Sequence, residues 1–164
     1  MDSTRLPLVV LATTVGVLGG ALAFQYLGGL APCEMCLWQR WPWWIALVLA
    51  IAALALGGMR ERYERPIAIV LGLIFLVSVG LGLYHVAVEQ HWVAGPTACS
   101  APLTGARSIA DLERMILARP VVRCDEIPWA LGPISLAGFN AIFSALLAAI
   151  AFWTALRDPR GTSA

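Results

Sequence analysis

The chain has 164 residues, of which 60% are apolar and only 13% charged, and its mean hydropathy is +0.79. So little charge excludes a soluble domain of this size and marks an integral membrane protein. A net charge of +1, with no run of basic residues, argues against nucleic acid as a partner.

Crossing about 30 Å of hydrocarbon takes roughly 20 residues of helix. Four stretches qualify: about Leu6–Leu30, Trp41–Met59, Pro66–Val88 and Pro133–Leu156. The expected architecture is all-α: one domain over residues 1–164, a four-helix transmembrane bundle with a single long loop at about 89–132. In the first span, Ala21-Leu22-Ala23 resembles a signal-peptide cleavage site. The apolar stretch runs past it to Leu30, longer than a signal core, so a retained span is the preferred reading. Gly16 and Gly20, four residues apart, and Gly72, Gly80 and Gly82 in the third span predict close helix packing within the bundle, the reading favoured over dimerisation through Gly16 and Gly20. Gln25 and Asn140 read as hydrogen-bonding links between helices. Pro42 is expected to bend or start the second span. Trp38, Trp41, Trp43 and Trp44 form an aromatic belt at one interface, where a flat ring could also wall a pocket for an aromatic or quinonoid cofactor. In the long loop, Thr97 to Thr104 should be irregular. Ser108 then reads as the N-cap of a short amphipathic surface helix that Pro120 ends.

Orientation rests on arginine, because the chain has no lysine. Arg5, Arg60, Arg62, Arg65, Arg157 and Arg160 fall on one side; Arg40, Arg107, Arg114, Arg119 and Arg123 fall on the other. The first group is concentrated in short segments, which the positive-inside rule weights most heavily, so both termini are expected in the cytoplasm. Span parity then puts Cys33, Cys36, Cys99 and Cys124 together on the opposite face. In a bacterium that is the oxidising periplasm, where disulfides persist.

Those four cysteines carry the candidate chemistry. Cys33-Glu34-Met35-Cys36 is a close pair just after the first span, and Cys99 and Cys124 are a distant pair in the loop. From spacing alone, a thiol–disulfide relay, two structural disulfides and a metal site all stand. A zinc site would need two more ligands at compatible spacing, and neither loop cysteine belongs to a second Cys-x-x-Cys. The relay is therefore the favoured reading, with no metal. Arg40 follows Cys36 by four residues, so on a helix its guanidinium lies over the same face and favours the thiolate. Its other reading is an arginine snorkelling to phospholipid headgroups. His85 is the one acidic, basic or histidine residue inside the third span and thus a functional candidate, or else a neutral histidine bonded to a neighbouring helix. Its depth resembles that of Cys36, so one pocket could hold both. Glu89 is spaced to pair with it, and His91 reads as an ordinary loop residue.

At this point a family resemblance emerges. Cys33-Glu34-Met35-Cys36-Leu37-Trp38-Gln39-Arg40, Tyr84-His85 and the loop cysteines Cys99 and Cys124 together resemble the disulfide bond formation protein B (DsbB) family over essentially the whole chain. The loop around Cys99 and Cys124 differs in detail from the best-known enterobacterial members, which bears on partner choice. The resemblance implies an inner-membrane, quinone-dependent oxidase of a periplasmic thioredoxin-like oxidant, DsbA. It implies that the partner's thiolate attacks a Cys99–Cys124 disulfide at Cys99, and that Cys124 resolves toward Cys33. Cys36 then passes electrons to ubiquinone or menaquinone held near Arg40 and His85. Two alternatives remain. A vitamin K epoxide reductase-like enzyme would carry its Cys-x-x-Cys near the end of the last span, which here has no cysteine. A non-catalytic scaffold would have two disulfides resistant to mild reductant and no bound quinone.

Overall fold

The computed structural model describes residues 4–96, 108–110, 113 and 122–157. Four helices dominate: α1 (Arg5–Tyr26), α2 (Glu34–Ala55), α3 (Arg60–Glu89) and α4 (Leu136–Leu156). A 3₁₀ turn (Gly57–Met59) joins α2 to α3, and a two-stranded hairpin, β1 (Ala130–Leu131) and β2 (Ile134–Ser135), precedes α4. All four helices are long and apolar enough to cross a membrane. At about 1.5 Å per residue, the 30 residues of α3 extend about 45 Å, so it overreaches the hydrocarbon and carries its first, arginine-rich turns beyond it.

Several boundaries differ from the hydropathy reading. The second helix begins at Glu34 rather than Trp41, because Cys33 caps it: its Sγ accepts the Cys36 N–H at 3.1 Å. Glu34 adds a negative charge at the positive end of the helix dipole. Pro42 lies inside α2 and does not start it. The first helix stops at Tyr26, short of Leu30; Leu27 and Gly28 both donate to the Ala23 carbonyl, and Gly29 turns the chain at φ 67°. The last helix begins at Leu136, not Pro133. There the pairing of Leu131 with Ile134 leaves Gly132-Pro133 as a two-residue hairpin loop. Gly132 supplies the positive φ of 61° that such a loop needs at its first position. Among the described residues, this small hairpin is a local exception to an otherwise all-α fold. The predicted surface helix after Ser108, the stretch Thr97–Thr104 and Cys99 fall wholly or mainly outside the described residues.

In lipid, apolar contrast no longer drives helices together, so close packing and polar pairs must. The α3–α4 contact shows both. A Cβ on Gly72 would come within 2.8 Å of the Phe152 ring, and one on Gly82 within 3.1 Å of the Ala141 backbone. Between them Ser144 Oγ donates to Ser78 Oγ at 2.8 Å. The second helix turns Met35, Gln39, Trp43, Ala46, Ala50 and Ala53 inward at three- and four-residue spacing. Trp43 meets Phe75 edge-on at 5.3 Å. Val15, Val48, Val77 and Leu146 are exposed, as suits a surface solvated by hydrocarbon.

The first helix packs on α2 but scarcely touches α4. Gly16 and Gly20 therefore do not mediate the close packing predicted for them; a Cβ on either would meet nothing within 4 Å. They border a cavity between α1 and α4 instead.

Candidate active site: a dithiol at the head of a membrane cavity

The capping of α2 by Cys33 sets the geometry of the pair. Cys36 occupies the first turn, and the Cys33 S–H points at its sulfur across 2.7 Å. Both cysteines are thiols. The bond to Cys36, reinforced by burial, pushes the Cys33 thiol well up from its ordinary range. Cys36 accepts that hydrogen bond at a helix N-terminus, one turn from Arg40, and both features favour negative charge on it.

His85 reaches the pair from α3. Its Nε2 is 3.7 Å from Cys33 Sγ, and its Nδ1 is 2.5 Å from the Gln39 amide. The Cys124 backbone carbonyl borders the same ring. His85 is 4% exposed and Gln39 6%, so this contact is buried. Arg40 turns the other way and donates through a terminal nitrogen to Gln25 Oε1 of α1 at 2.6 Å. Glu89 pairs with Ser135 and not with His85: the Ser135 hydroxyl donates to its carboxylate at 2.5 Å while accepting the Gly138 N–H as the cap of α4.

Cys124 arrives at the same place from the loop. It is 1% exposed, packs with Cys33, Met35 and Val88, and has Cys36 and Val122 at its edge. It is disulfide-bonded. Beside it, Arg123 clamps Asp125 with two hydrogen bonds of 3.0 and 2.6 Å, which hold the Asp125 carboxyl down at about 2. The fold thus brings three of the four predicted cysteines into one cluster. Cys99, the fourth, lies outside the described residues.

The cluster heads a cavity of about 540 Å³. Cys36, Arg40 and His85 line it at the dithiol end, and Gly16 and Gly20 of α1 line it further along. Phe24, Trp129 and Phe139 form its aromatic wall, with ring centroids 5.0 and 6.4 Å apart on either side of Trp129. Asn140 also lines it, its Oδ1 held by the Trp43 indole N–H at 2.6 Å.

Comparison with known proteins points to one family. The profile of the family "Disulfide bond formation protein DsbB" matches residues 3–154. The chain belongs to the DsbB family. It is 30% identical to disulfide bond formation protein B of Aromatoleum aromaticum, over 97% of this chain and 96% of that one. It is 28% identical to the protein of the same name from Marinobacter nauticus, over 91% and 89%. The uncharacterized protein RP370 of Rickettsia prowazekii is 24% identical over 87% and 81%. No solved structure matches. As a DsbB-family member, the chain is a multi-pass membrane protein and a thiol oxidoreductase of disulfide bond formation.

Sequence reasoning singles out Arg40, His85 and Gln25, but not the Gln39 that holds His85. Gln39 stands between the cysteine motif and Arg40, and its one signal is that an amide inside a span needs a partner. Trp129 offers less, since an aromatic ahead of a span reads as a belt residue. Gln25 and Asn140 do link helices, to Arg40 and Trp43 respectively.

Proposed function

We propose that this DsbB-family chain oxidises a periplasmic, thioredoxin-like DsbA-type partner and delivers the electrons to a membrane quinone. The observation that carries the reading is the burial of disulfide-bonded Cys124 against the Cys33–Cys36 pair at the head of an aromatic-walled cavity.

The exchange begins when a partner thiolate attacks Cys99 of a Cys99–Cys124 disulfide, forming a mixed disulfide and releasing Cys124 as thiolate. Cys124 attacks Cys33 of an oxidised Cys33–Cys36 pair, and Cys36 leaves as thiolate. The partner's second thiol closes its own disulfide, and the chain's pairs re-form once two electrons have left through Cys36. Each cycle thus removes two electrons and two protons from the partner. Quinone, when bound, accepts two of each. The residues present suit it: an apolar slot with aromatic walls, open between α1 and α4 toward lipid, with a cation and a nucleophilic sulfur at one end. Arg40, steadied by Gln25, stabilises negative charge where the electrons depart. His85, oriented by Gln39, holds the Cys33 side of the pair in register. The cysteines and the long loop face the periplasm, and both termini face the cytoplasm.

The test is quinone reduction by purified protein supplied with a reduced thioredoxin-like oxidant, together with extraction of quinone from the preparation. Turnover should depend on all four cysteines. A chain that exchanges disulfides but never reduces quinone, or does so undiminished as Cys36→Ser, contradicts the reading. A scaffold would show neither activity.

A further inference from the structure

In the dithiol state the same cluster has the makings of a soft-metal site. We propose that reduced Cys33 and Cys36, with His85, bind a zinc-class divalent cation, which while bound occupies both thiolates that the relay uses. The proposal stands on the dithiol geometry, whether or not quinone is the electron acceptor.

The three donor atoms lie within 4.8 Å of one another. In a tetrahedral zinc site, ligand lengths of about 2.3 Å to sulfur and 2.0–2.1 Å to nitrogen put sulfur and nitrogen about 3.6 Å apart and two sulfurs about 3.8 Å apart. The Cys33 Sγ–His85 Nε2 separation of 3.7 Å already fits. The sulfurs, at 2.7 Å, must part by about 1 Å, which a rotation of Cys36 toward the adjoining cavity provides. The fourth position opens on that cavity, where water can complete the shell. Thiolate and imidazole donors select zinc-like ions over magnesium or calcium.

The surroundings supply what such a site needs beyond its ligands. A metal on Nε2 requires the hydrogen on Nδ1, and the Gln39 amide at 2.5 Å accepts it once its oxygen is presented. The Cys36 N–H already bonds Cys33 Sγ, a contact that a metal-bound thiolate strengthens. Binding displaces two thiol protons and transfers no electrons. The resulting dithiolate complex is neutral, which a buried site next to Arg40 tolerates better than a free charge. Oxidation to the disulfide removes two of the three ligands, so the site exists only in the reduced half of the cycle.

The probe is Co²⁺ alone, added anaerobically to full-length protein carrying Cys99→Ala and Cys124→Ala, so that Cys33 and Cys36 are the only thiols. Reduced protein should bind one equivalent, with thiolate-to-cobalt charge transfer and the intense visible bands of a tetrahedral ion, all displaced by Zn²⁺. The oxidised preparation of the same protein should show none of this, a comparison that needs no further variant. Gln39→Leu should weaken binding roughly 10–100-fold. His85→Asn should lose the tetrahedral bands and weaken binding at least as much. Absence of charge transfer in the reduced protein overturns the proposal, as does an unchanged spectrum and affinity in His85→Asn. Wild-type protein that reduces quinone in chelator but fails to bind cobalt refutes this inference and leaves the proposed function standing.

Discussion

Gly20→Leu separates the cavity from the fold. Gly20 sits on the α1 wall of the cavity, and a Cβ there would meet no atom within 4 Å. The substitution should therefore fold, and replacing an interior helical glycine even favours the helix by roughly 0.5–1 kcal/mol. Leucine adds four carbon atoms to a space of about 540 Å³, which under the proposed function would take the quinone ring and part of its tail. If those atoms displace four ligand atoms, each contributing about 0.3 kcal/mol, binding weakens by about 1.2 kcal/mol, roughly eightfold. The assay is the initial rate of quinone reduction against quinone concentration. KM should rise by about that factor, while the mixed disulfide with the thiol partner forms at the wild-type rate. Gly72→Leu is the control for packing. Its Cβ would lie 2.8 Å from the Phe152 ring, so overpacking of the α3–α4 contact should cost about 1–3 kcal/mol and show as a lower unfolding temperature in detergent. An unchanged KM in well-folded Gly20→Leu would mean that the acceptor binds elsewhere, and the α1–α4 gap would lose its assigned role.

Arg40→Ala should slow quinone reduction about 10- to 100-fold, the rate equivalent of a charge-assisted interaction of about 1.5–3 kcal/mol. Arg40→Lys should retain part of that rate and Gln25→Leu should fall between, whereas equal rates in all three would reduce Arg40 to a headgroup anchor. Cys124→Ser should accumulate a mixed disulfide between Cys99 and the partner on non-reducing gels, because nothing remains to resolve it; an adduct trapped only in Cys99→Ser reverses the two roles. Alkaline phosphatase fused after Arg62 should be inactive and fused near Ala106 active, and the opposite pattern refutes the orientation.

What the sequence displayed and what it concealed follow from the solvent. Four apolar runs were legible because charge is expensive in hydrocarbon, and His85 stood out for the same reason. Which face of each run turns inward was not legible, because in lipid both faces are apolar. Small residues are ambiguous on the same ground: Gly72 permits contact and Gly20 permits space, and a four-residue spacing reads alike for either. The start of α2 was hidden because a cysteine side chain is not among the usual helix caps. Glu89 was spaced to pair with His85, yet the Ser135 hydroxyl took it, a long-range contact that no local pattern announces. Polar bonds carry the missing information, and they concentrate on one helix. Within two to three turns of its cap, α2 reaches α1 through Arg40, α3 through Gln39 and α4 through Trp43. Each of the three bonds is made to a different helix, so together they leave α2 little freedom to rotate or slide. The dithiol at its N-terminus is thereby fixed relative to the cavity, His85 and the Cys124 segment at once. The candidate residues could be read along the chain, but their placement depends on partners that only the folded bundle brings together.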